Sequence, residues 1–87
     1  MKIKQGLILR EVAGNYIVVA VGPAVKHFNG VVSLNETGAF LWKQLENGSD
    51  EEGLVKALLD NYEIEEEFAK DEAHNFITKL MGAGLVE

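Results

Sequence analysis

The sequence contains no cysteine, only one proline and no long uninterrupted apolar stretch. The absence of cysteine excludes disulfides, thiolate metal sites and cysteine nucleophiles, and it fits a reducing compartment. No segment has the length of a membrane span, and no basic segment followed by an apolar one opens the sequence as in a secretion signal. These absences predict a soluble cytoplasmic protein with no membrane partner.

Basic residues are also scarce, with eight Lys and Arg against fourteen Asp and Glu. Residues 1–34 carry four basic residues and one acidic residue, a net charge of +3, whereas residues 35–87 carry four basic and thirteen acidic residues, a net charge of −9. Proteins that bind nucleic acids concentrate Lys and Arg on the face that meets phosphate. Because the part that would supply a recognition helix is acidic, the charge predicts no nucleic-acid partner.

The sequence also lacks the side-chain clusters that catalysis or metal binding requires. His27 and His74 are the only histidines, and neither has further ligands at a suitable spacing. The acidic runs 50–52 and 65–67 lie where helix N-termini favour negative charge. Gly82-Ala83-Gly84 follows a predicted helix and so does not form a phosphate-binding loop. We therefore predict no catalytic residue, no metal and no cofactor, and a binding module rather than an enzyme.

The first third of the chain has the composition of β-strands. With 87 residues and 47% apolar content, the chain can form one hydrophobic core, which predicts a single domain over residues 1–87. Apolar and β-branched segments at residues 7–12 and 16–21 flank a turn at residues 13–15 and predict a hairpin, which Gly22-Pro23 ends.

A third strand is predicted over residues 28–34, with a bend or turn at Asn29-Gly30. The alternation of strand side chains places Val32 and Leu34 on one face and Val31 and Ser33 on the other. The resulting antiparallel sheet has two open edges, so pairing with a second copy is possible and we expect a monomer or a weak dimer.

The remainder of the chain predicts three helices. The first begins at Asn35 or one or two residues earlier, because Asn35 as N-cap and a capping box of Ser33 with Glu36 both fit, and it ends at Gly48. The second has Ser49 as N-cap and Glu52 at its third position.

The third helix runs from about Glu65 to Met81 and stops at Gly82 or Gly84, after which Leu85-Val86 is expected to fold back onto the core. Three antiparallel strands followed by three helices predict an α+β fold of the winged helix-turn-helix type, in which the sheet and the third helix share one core.

Two segments give the chain a resemblance to a known family. The segment Leu34-Asn35-Glu36-Thr37-Gly38-Ala39 at the start of the first helix, and the ending Phe76…Leu80…Ala83-Gly84-Leu85, resemble the PqqD-like proteins, also called RiPP recognition elements. The resemblance extends from about Leu7 to Val86.

The resemblance implies a peptide chaperone that has no catalytic activity. Members of this family hold the leader of a ribosomally made precursor peptide as an added strand on the third strand, facing the third helix. They present it to a modifying enzyme, often a radical S-adenosylmethionine protein, in pyrroloquinoline quinone (PQQ) biosynthesis or another peptide pathway.

For this chain the resemblance and the helical spacing predict nine peptide-binding residues. The strand side comprises Phe28, Val31, Val32 and Ser33, and the helix side comprises Phe68, Glu72, Asn75, Phe76 and Lys79, which share one surface of the helix. Such spacing is also typical of core residues; it favours the core for Trp42 and Phe76 and leaves Phe68 open.

Two other functions fit the same order of elements. A DNA-binding winged helix is the main structural alternative, since a fold does not determine function. Its third helix should carry Arg, Lys, Asn or Gln, whereas this one offers Lys70, Asn75 and Lys79 among five acidic residues in 65–72. The other alternative is a general protein-interaction or regulatory domain.

Overall fold

The structure is a computed structural model that describes residues 1–28 and 30–87. Its elements, in chain order, are strands β1 (Leu7–Val12) and β2 (Asn15–Ala20), a short 3-10 helix (Gly22–Lys26), strand β3 (Val32–Leu34), and helices α1 (Glu36–Glu46), α2 (Glu51–Asn61) and α3 (Glu66–Gly82). The predicted α+β fold, with three antiparallel strands followed by three helices, is confirmed.

Strands β1 and β2 form the predicted hairpin, with Leu7 opposite Ala20 and Val12 opposite Asn15. The turn has only two residues, Ala13 and Gly14, and both have positive φ angles, 52° and 81°. Such a pair is typical of a type I′ turn, whose twist matches that of the strands. Asn15, predicted to belong to the turn, therefore begins β2.

Strand β3 is shorter than predicted. It pairs antiparallel with β2 over residues 32–34, with Ser33 opposite Ile17. Phe28 does not belong to the strand, because its N–H donates to the carbonyl of Ala24 at 2.9 Å and so continues the 3-10 helix, which the sequence pattern did not predict. The bend predicted at Asn29-Gly30 includes residue 29, which lies outside the described residues.

The sheet order β1-β2-β3 places β2 in the centre. Within the described residues, the outer edges of β1 and β3 therefore have no strand beside them. Burial along the third segment follows the predicted alternation: Leu34 is buried and Val32 half-buried, whereas Val31 and Ser33 are exposed.

Two caps fix where helices α1 and α2 begin. Asn35 caps α1, since its Oδ1 accepts a hydrogen bond from the Gly38 N–H at 2.7 Å, which decides between the two starts that the sequence allowed. The prediction of Ser49 as the cap of α2 is wrong. Asp50 occupies that position, and its Oδ1 accepts from the Gly53 N–H at 2.7 Å. Both residue types are good N-caps, so the sequence left the register uncertain by one residue.

One apolar core joins the sheet to the three helices. Its fully buried side chains come from β2, from all three helices and from the C-terminal segment: Val18, Leu41, Trp42, Leu54, Leu58, Leu80 and Leu85. The expected return of Leu85 and Val86 to the core is confirmed, because Leu85 is fully buried and its N–H donates to the Leu80 carbonyl at 2.9 Å.

The two ends of the chain pair with each other beside this core. Ile3 lies opposite Val86 in an antiparallel bridge. The Lys4 N–H donates to the Leu85 carbonyl at 2.9 Å, and the Glu87 N–H donates to the Lys2 carbonyl at 2.8 Å. We call these paired segments, residues 2–4 and 85–87, the terminal ladder.

The helices in the described part of the chain include none that is both long and apolar enough to cross a membrane.

Candidate functional site

The free edge of β3 carries polar backbone groups that point away from the sheet. Lys79 Nζ, on α3, donates to the Ser33 carbonyl oxygen at 2.9 Å. Because β2 lies on the opposite side of β3, this contact shows that the Ser33 carbonyl faces the open edge. The N–H of a strand residue points to the same side as its carbonyl, so both backbone groups of Ser33 are turned outward.

A cleft of about 300 Å³ lies beside this edge, between the start of α1 and the outer face of α3. Its walls are formed on one side by Leu34, Asn35, Gly38 and Leu41, and on the other by Glu72, Asn75, Phe76 and Lys79. Leu41 and Phe76 are buried and supply apolar surface, whereas Asn75 and Lys79 are exposed. We call this space the β3–α3 cleft. It combines an apolar interior with polar groups at the exposed side.

Gly38 keeps the α1 wall of the cleft open. A Cβ atom at this position would lie 3.1 Å from Asn35 Oδ1 and 3.3 Å from the Leu34 Cβ, closer than side chains normally approach. A glycine here therefore allows Asn35 to cap α1 and leaves space beside Leu34. Sequence reasoning did not include Asn35, Gly38 or Leu41 in the site, although an Asn followed three residues later by a Gly in the first helical turn was the available signal.

A second pocket adjoins the β3–α3 cleft and has Asn35 and Glu72 in common with it. The remaining lining residues are Thr37, Leu58, Tyr62, Ile64 and Phe68, and the volume is about 260 Å³. We call it the Phe68 pocket. Phe68 is exposed, so the structure answers the question that the sequence left open for this side chain, while Phe76 and Trp42 are buried as the pattern favoured.

Phe28 lies apart from these two pockets. It lines a separate depression of about 320 Å³ with residues of the N-terminal segment, the 3-10 helix and the C-terminal turn, including Lys4, His27 and Gly84. Its half-buried ring packs against the core. The structure thus does not bring Phe28 into the β3–α3 cleft.

Comparison with known proteins assigns the chain to a family. The family model for coenzyme PQQ synthesis protein D (PqqD) matches residues 8–86. The chain belongs to the PqqD family. Among curated proteins, no significant sequence match to the chain was found.

Two solved structures share the fold of this PqqD-family chain. One is TbiB1 in complex with the TbiA(beta) leader peptide, with a TM-score of 0.80, 20% sequence identity, and coverage of 100% of this chain and 95% of the other. The second is lasso peptide synthetase B1 complexed with the leader peptide, with a TM-score of 0.77, 17% identity, and coverage of 99% and 95%. At these identities the similarity establishes the common fold.

In this PqqD-family chain the structure brings together most of the predicted site residues. Four of the five helix residues line the β3–α3 cleft, namely Glu72, Asn75, Phe76 and Lys79, and the fifth, Phe68, lines the adjoining pocket. On the strand side, Ser33 meets Lys79 through its carbonyl, Val32 is half-buried beside the core, and Val31 is exposed immediately before β3.

Two pairs of exposed charged or titratable side chains lie outside the cleft. Lys70 lies 3.2 Å from Glu66 one turn away on α3, and His74 Nδ1 lies 3.4 Å from Glu51 Oε1 on α2. Within residues 1–28 and 30–87 no three His, Asp or Glu side chains are grouped as metal binding requires. The first pair lies within α3, and the second joins α3 to α2.

Proposed function

We propose that this protein is a RiPP recognition element, a peptide chaperone without catalytic activity that binds the leader of a ribosomally made precursor peptide and presents it to a modifying enzyme. The observation that carries the proposal is the outward-facing backbone of Ser33 at the free edge of β3, directly beside the β3–α3 cleft. The peptide-binding unit would be the whole of residues 1–87.

The physical basis of binding would be strand addition. An unpaired strand edge presents N–H and C=O groups that an extended peptide can satisfy with its own backbone. A carbonyl oxygen has two lone pairs, so the Ser33 carbonyl can accept from a peptide N–H while it still accepts from Lys79. Backbone pairing gives affinity that depends little on sequence, and pockets for alternate side chains give specificity.

The β3–α3 cleft supplies such a pocket. Residues of an added strand that lie opposite Leu34 or Val32 have their side chains on the core face of the sheet, where α3 packs. There they would contact Phe76 and Leu41, with Glu72, Asn75 and Lys79 around them. The proposed peptide-binding residues are therefore Val31 immediately before β3, Val32 and Ser33 on β3, and the four cleft residues of α3, with Phe68 beyond them. Phe28 would contribute indirectly, by supporting the segment that leads into β3.

Membership of the PqqD family and the leader peptides bound to TbiB1 and to lasso peptide synthetase B1 support this proposal. By the resemblance to PqqD-like proteins, the enzyme that receives the peptide would be a radical S-adenosylmethionine protein, in PQQ biosynthesis or another peptide pathway. We propose that the protein acts in the cytoplasm, as a monomer or a weak dimer.

Charge opposes the DNA-binding alternative. The exposed surface at the start of α3 carries Glu65, Glu66, Glu67 and Asp71, and Lys70 is paired with Glu66. A helix of this charge would repel the phosphate backbone that dominates affinity for DNA.

The proposal is tested by titrating isotope-labelled protein with the leader of a small peptide encoded beside its gene, and following the amide shifts. We expect shifts in residues 30–41 and 65–79, which form or adjoin the β3–α3 cleft, with unchanged shifts in β1. Lys56→Ala, at an exposed position of α2, is the matched surface control and should leave the affinity unchanged. Absence of shifts with every neighbouring peptide, or shifts with duplex DNA instead, would contradict the proposal.

A further inference from the structure

The Phe68 pocket continues the β3–α3 cleft beyond the end of β3. We infer that it binds an apolar side chain of the same peptide, two residues away from the side chain that occupies the β3–α3 cleft. This inference rests on the proposed function and deepens it, because it states which positions of the peptide are recognised and by what chemistry.

The pocket has the properties of an apolar subsite. Phe68 is 53% exposed and Tyr62 is 37% exposed, so two large side chains leave apolar area in water at one place on the surface. The Tyr62 ring is held by Phe40, with ring centroids 5.4 Å apart and planes at 84°. This edge-to-face contact fixes one wall, and Leu58 and Ile64 complete an apolar lining.

The position of the pocket along α3 determines the spacing on the peptide. The cleft contacts α3 between Glu72 and Lys79, whereas the pocket contacts it between Phe68 and Glu72. The midpoints of these two segments are roughly five to six helical residues apart, or about 8 Å along the axis. An extended peptide that runs alongside α3 needs two to three residues to cover about 8 Å.

Of the two spacings, two residues and three residues, the alternation of side chains in an extended peptide selects two. Both pockets are walled by α3 and have Asn35 and Glu72 in common, and the side chains of an extended peptide return to the same side every second residue. The two recognised positions are therefore separated by one intervening residue, whichever way the peptide runs along β3.

Because β3 ends before the Phe68 pocket, the second peptide residue is recognised by its side chain and not by backbone pairing. Strand β3 ends at Leu34, Asn35 caps the next helix, and α1 begins at Glu36. Past Leu34 the protein has no strand edge with which a peptide backbone can pair. The second side chain must therefore be held by the pocket itself, which favours an aliphatic or aromatic residue. An acidic residue is disfavoured because Glu72 lies on the wall common to both pockets.

The test uses a displayed library of fully randomised 12-residue peptides, selected on the full-length protein. We expect enriched peptides to carry two apolar residues separated by one position. Phe68→Ser should weaken their binding by about tenfold or more, the range for removing an apolar contact from a pocket. Phe68→Leu should restore most of the affinity. Met81→Ser, which changes another exposed apolar residue of α3 that lines neither pocket, should leave the affinity unchanged.

The register is read by disulfide tethering, since the chain has no cysteine of its own. In Phe68→Cys protein, an enriched peptide with a single cysteine should cross-link through only one of the two apolar positions. In Asn75→Cys protein it should cross-link through the other. Circular dichroism melting checks that each variant is folded.

The outcomes separate the inference from the proposed function. Enriched peptides with one apolar position, with another spacing, or with affinity indifferent to Phe68→Ser would overturn the inference and leave peptide binding intact. If no peptide is enriched on the folded protein, the proposed function fails and the inference fails with it.

Discussion

Ala13 has a left-handed backbone conformation, with φ of 52°, at the first position of the β1–β2 turn. This conformation is unfavourable for a residue with a Cβ atom, by roughly 1–2 kcal/mol, and asparagine tolerates it better than alanine. Asn-Gly is moreover the preferred pair in a type I′ turn.

We therefore expect Ala13→Asn to raise the free energy of unfolding by about 0.5–1 kcal/mol, as measured by urea denaturation. Ala57→Asn, in the helical interior of α2, is the contrasting change and should lower stability because asparagine is a poorer helix former. A loss of stability in Ala13→Asn would show that the turn does not have the geometry described.

Asp50 and Ser49 are neighbours, but only Asp50 caps α2. Asp50→Ala should lower the free energy of unfolding by about 1 kcal/mol, because the Gly53 N–H loses its acceptor. Ser49→Ala should change it by less than about 0.5 kcal/mol, because the Ser49 hydroxyl makes a long contact of 3.4 Å with the neighbouring Asp50 carbonyl and does not cap the helix. Thermal denaturation of both variants measures the difference. A larger effect at Ser49 would show that Ser49 caps α2, as the sequence pattern predicted.

Strand β3 offers a substitution that separates peptide binding from folding. Ser33→Pro removes the N–H that points to the open edge and leaves the hydrogen bonds toward β2 in place, because those are made by the residues on either side. We expect the folded protein to be retained and peptide binding, measured by calorimetry, to be lost. Ser33→Ala keeps the N–H and should bind as the unmodified protein does.

The choice of Ser33 follows from the register. Val32 lies opposite Val18 within the sheet and is half-buried, so proline at that position would disturb the sheet itself. Binding by Ser33→Pro protein as strong as that of Ser33→Ala would exclude strand addition at this edge.

Sequence patterns correctly predicted the secondary-structure elements that depend on residues close together in the chain. The hairpin followed from two β-branched segments around Gly14, and the cap of α1 was among the alternatives because Asn35 is a good N-cap. The 3-10 helix at Gly22–Lys26 was missed, because five residues starting with Gly-Pro carry no hydrophobic period. As a result, Phe28 was assigned to a strand that begins only at Val32.

The candidate site likewise contains residues that local spacing predicted and residues that only the assembled fold brings together. Helical spacing placed Glu72, Asn75, Phe76 and Lys79 on one surface of α3, and they do line one cleft. The α1 side of that cleft, with Asn35, Gly38 and Leu41, results from how α1 packs beside α3, which spacing within one helix does not reveal. The hydrogen bond from Lys79 to Ser33 joins positions 46 residues apart and depends on the assembled fold.

The terminal ladder joins the two ends of the chain next to a fully buried residue, Leu85. Chain ends usually fray, and their amides then exchange quickly with solvent. Here the amides of Lys4 and Glu87 are hydrogen-bonded across the ladder and that of Leu85 is bonded to Leu80.

We expect these three amides to exchange at least tenfold more slowly, in hydrogen-exchange NMR, than that of Gly30, which is exposed and lies in no helix or strand. Leu85→Ala, which removes the buried anchor, should speed exchange at all three. Equal exchange rates at the ladder and at Gly30 would show that the ends are frayed.

Trp42 is the only tryptophan of the chain, and it is fully buried with no hydrogen-bond partner for its indole N–H among the described residues. An indole in such apolar surroundings fluoresces at shorter wavelength than one in water. Trp42 lines neither the β3–α3 cleft nor the Phe68 pocket. Its emission should therefore report unfolding of the core while remaining unchanged when a peptide occupies the β3–α3 cleft. Stability and ligand occupancy thus have separate optical signals in one sample, provided that the peptide carries the second fluorophore.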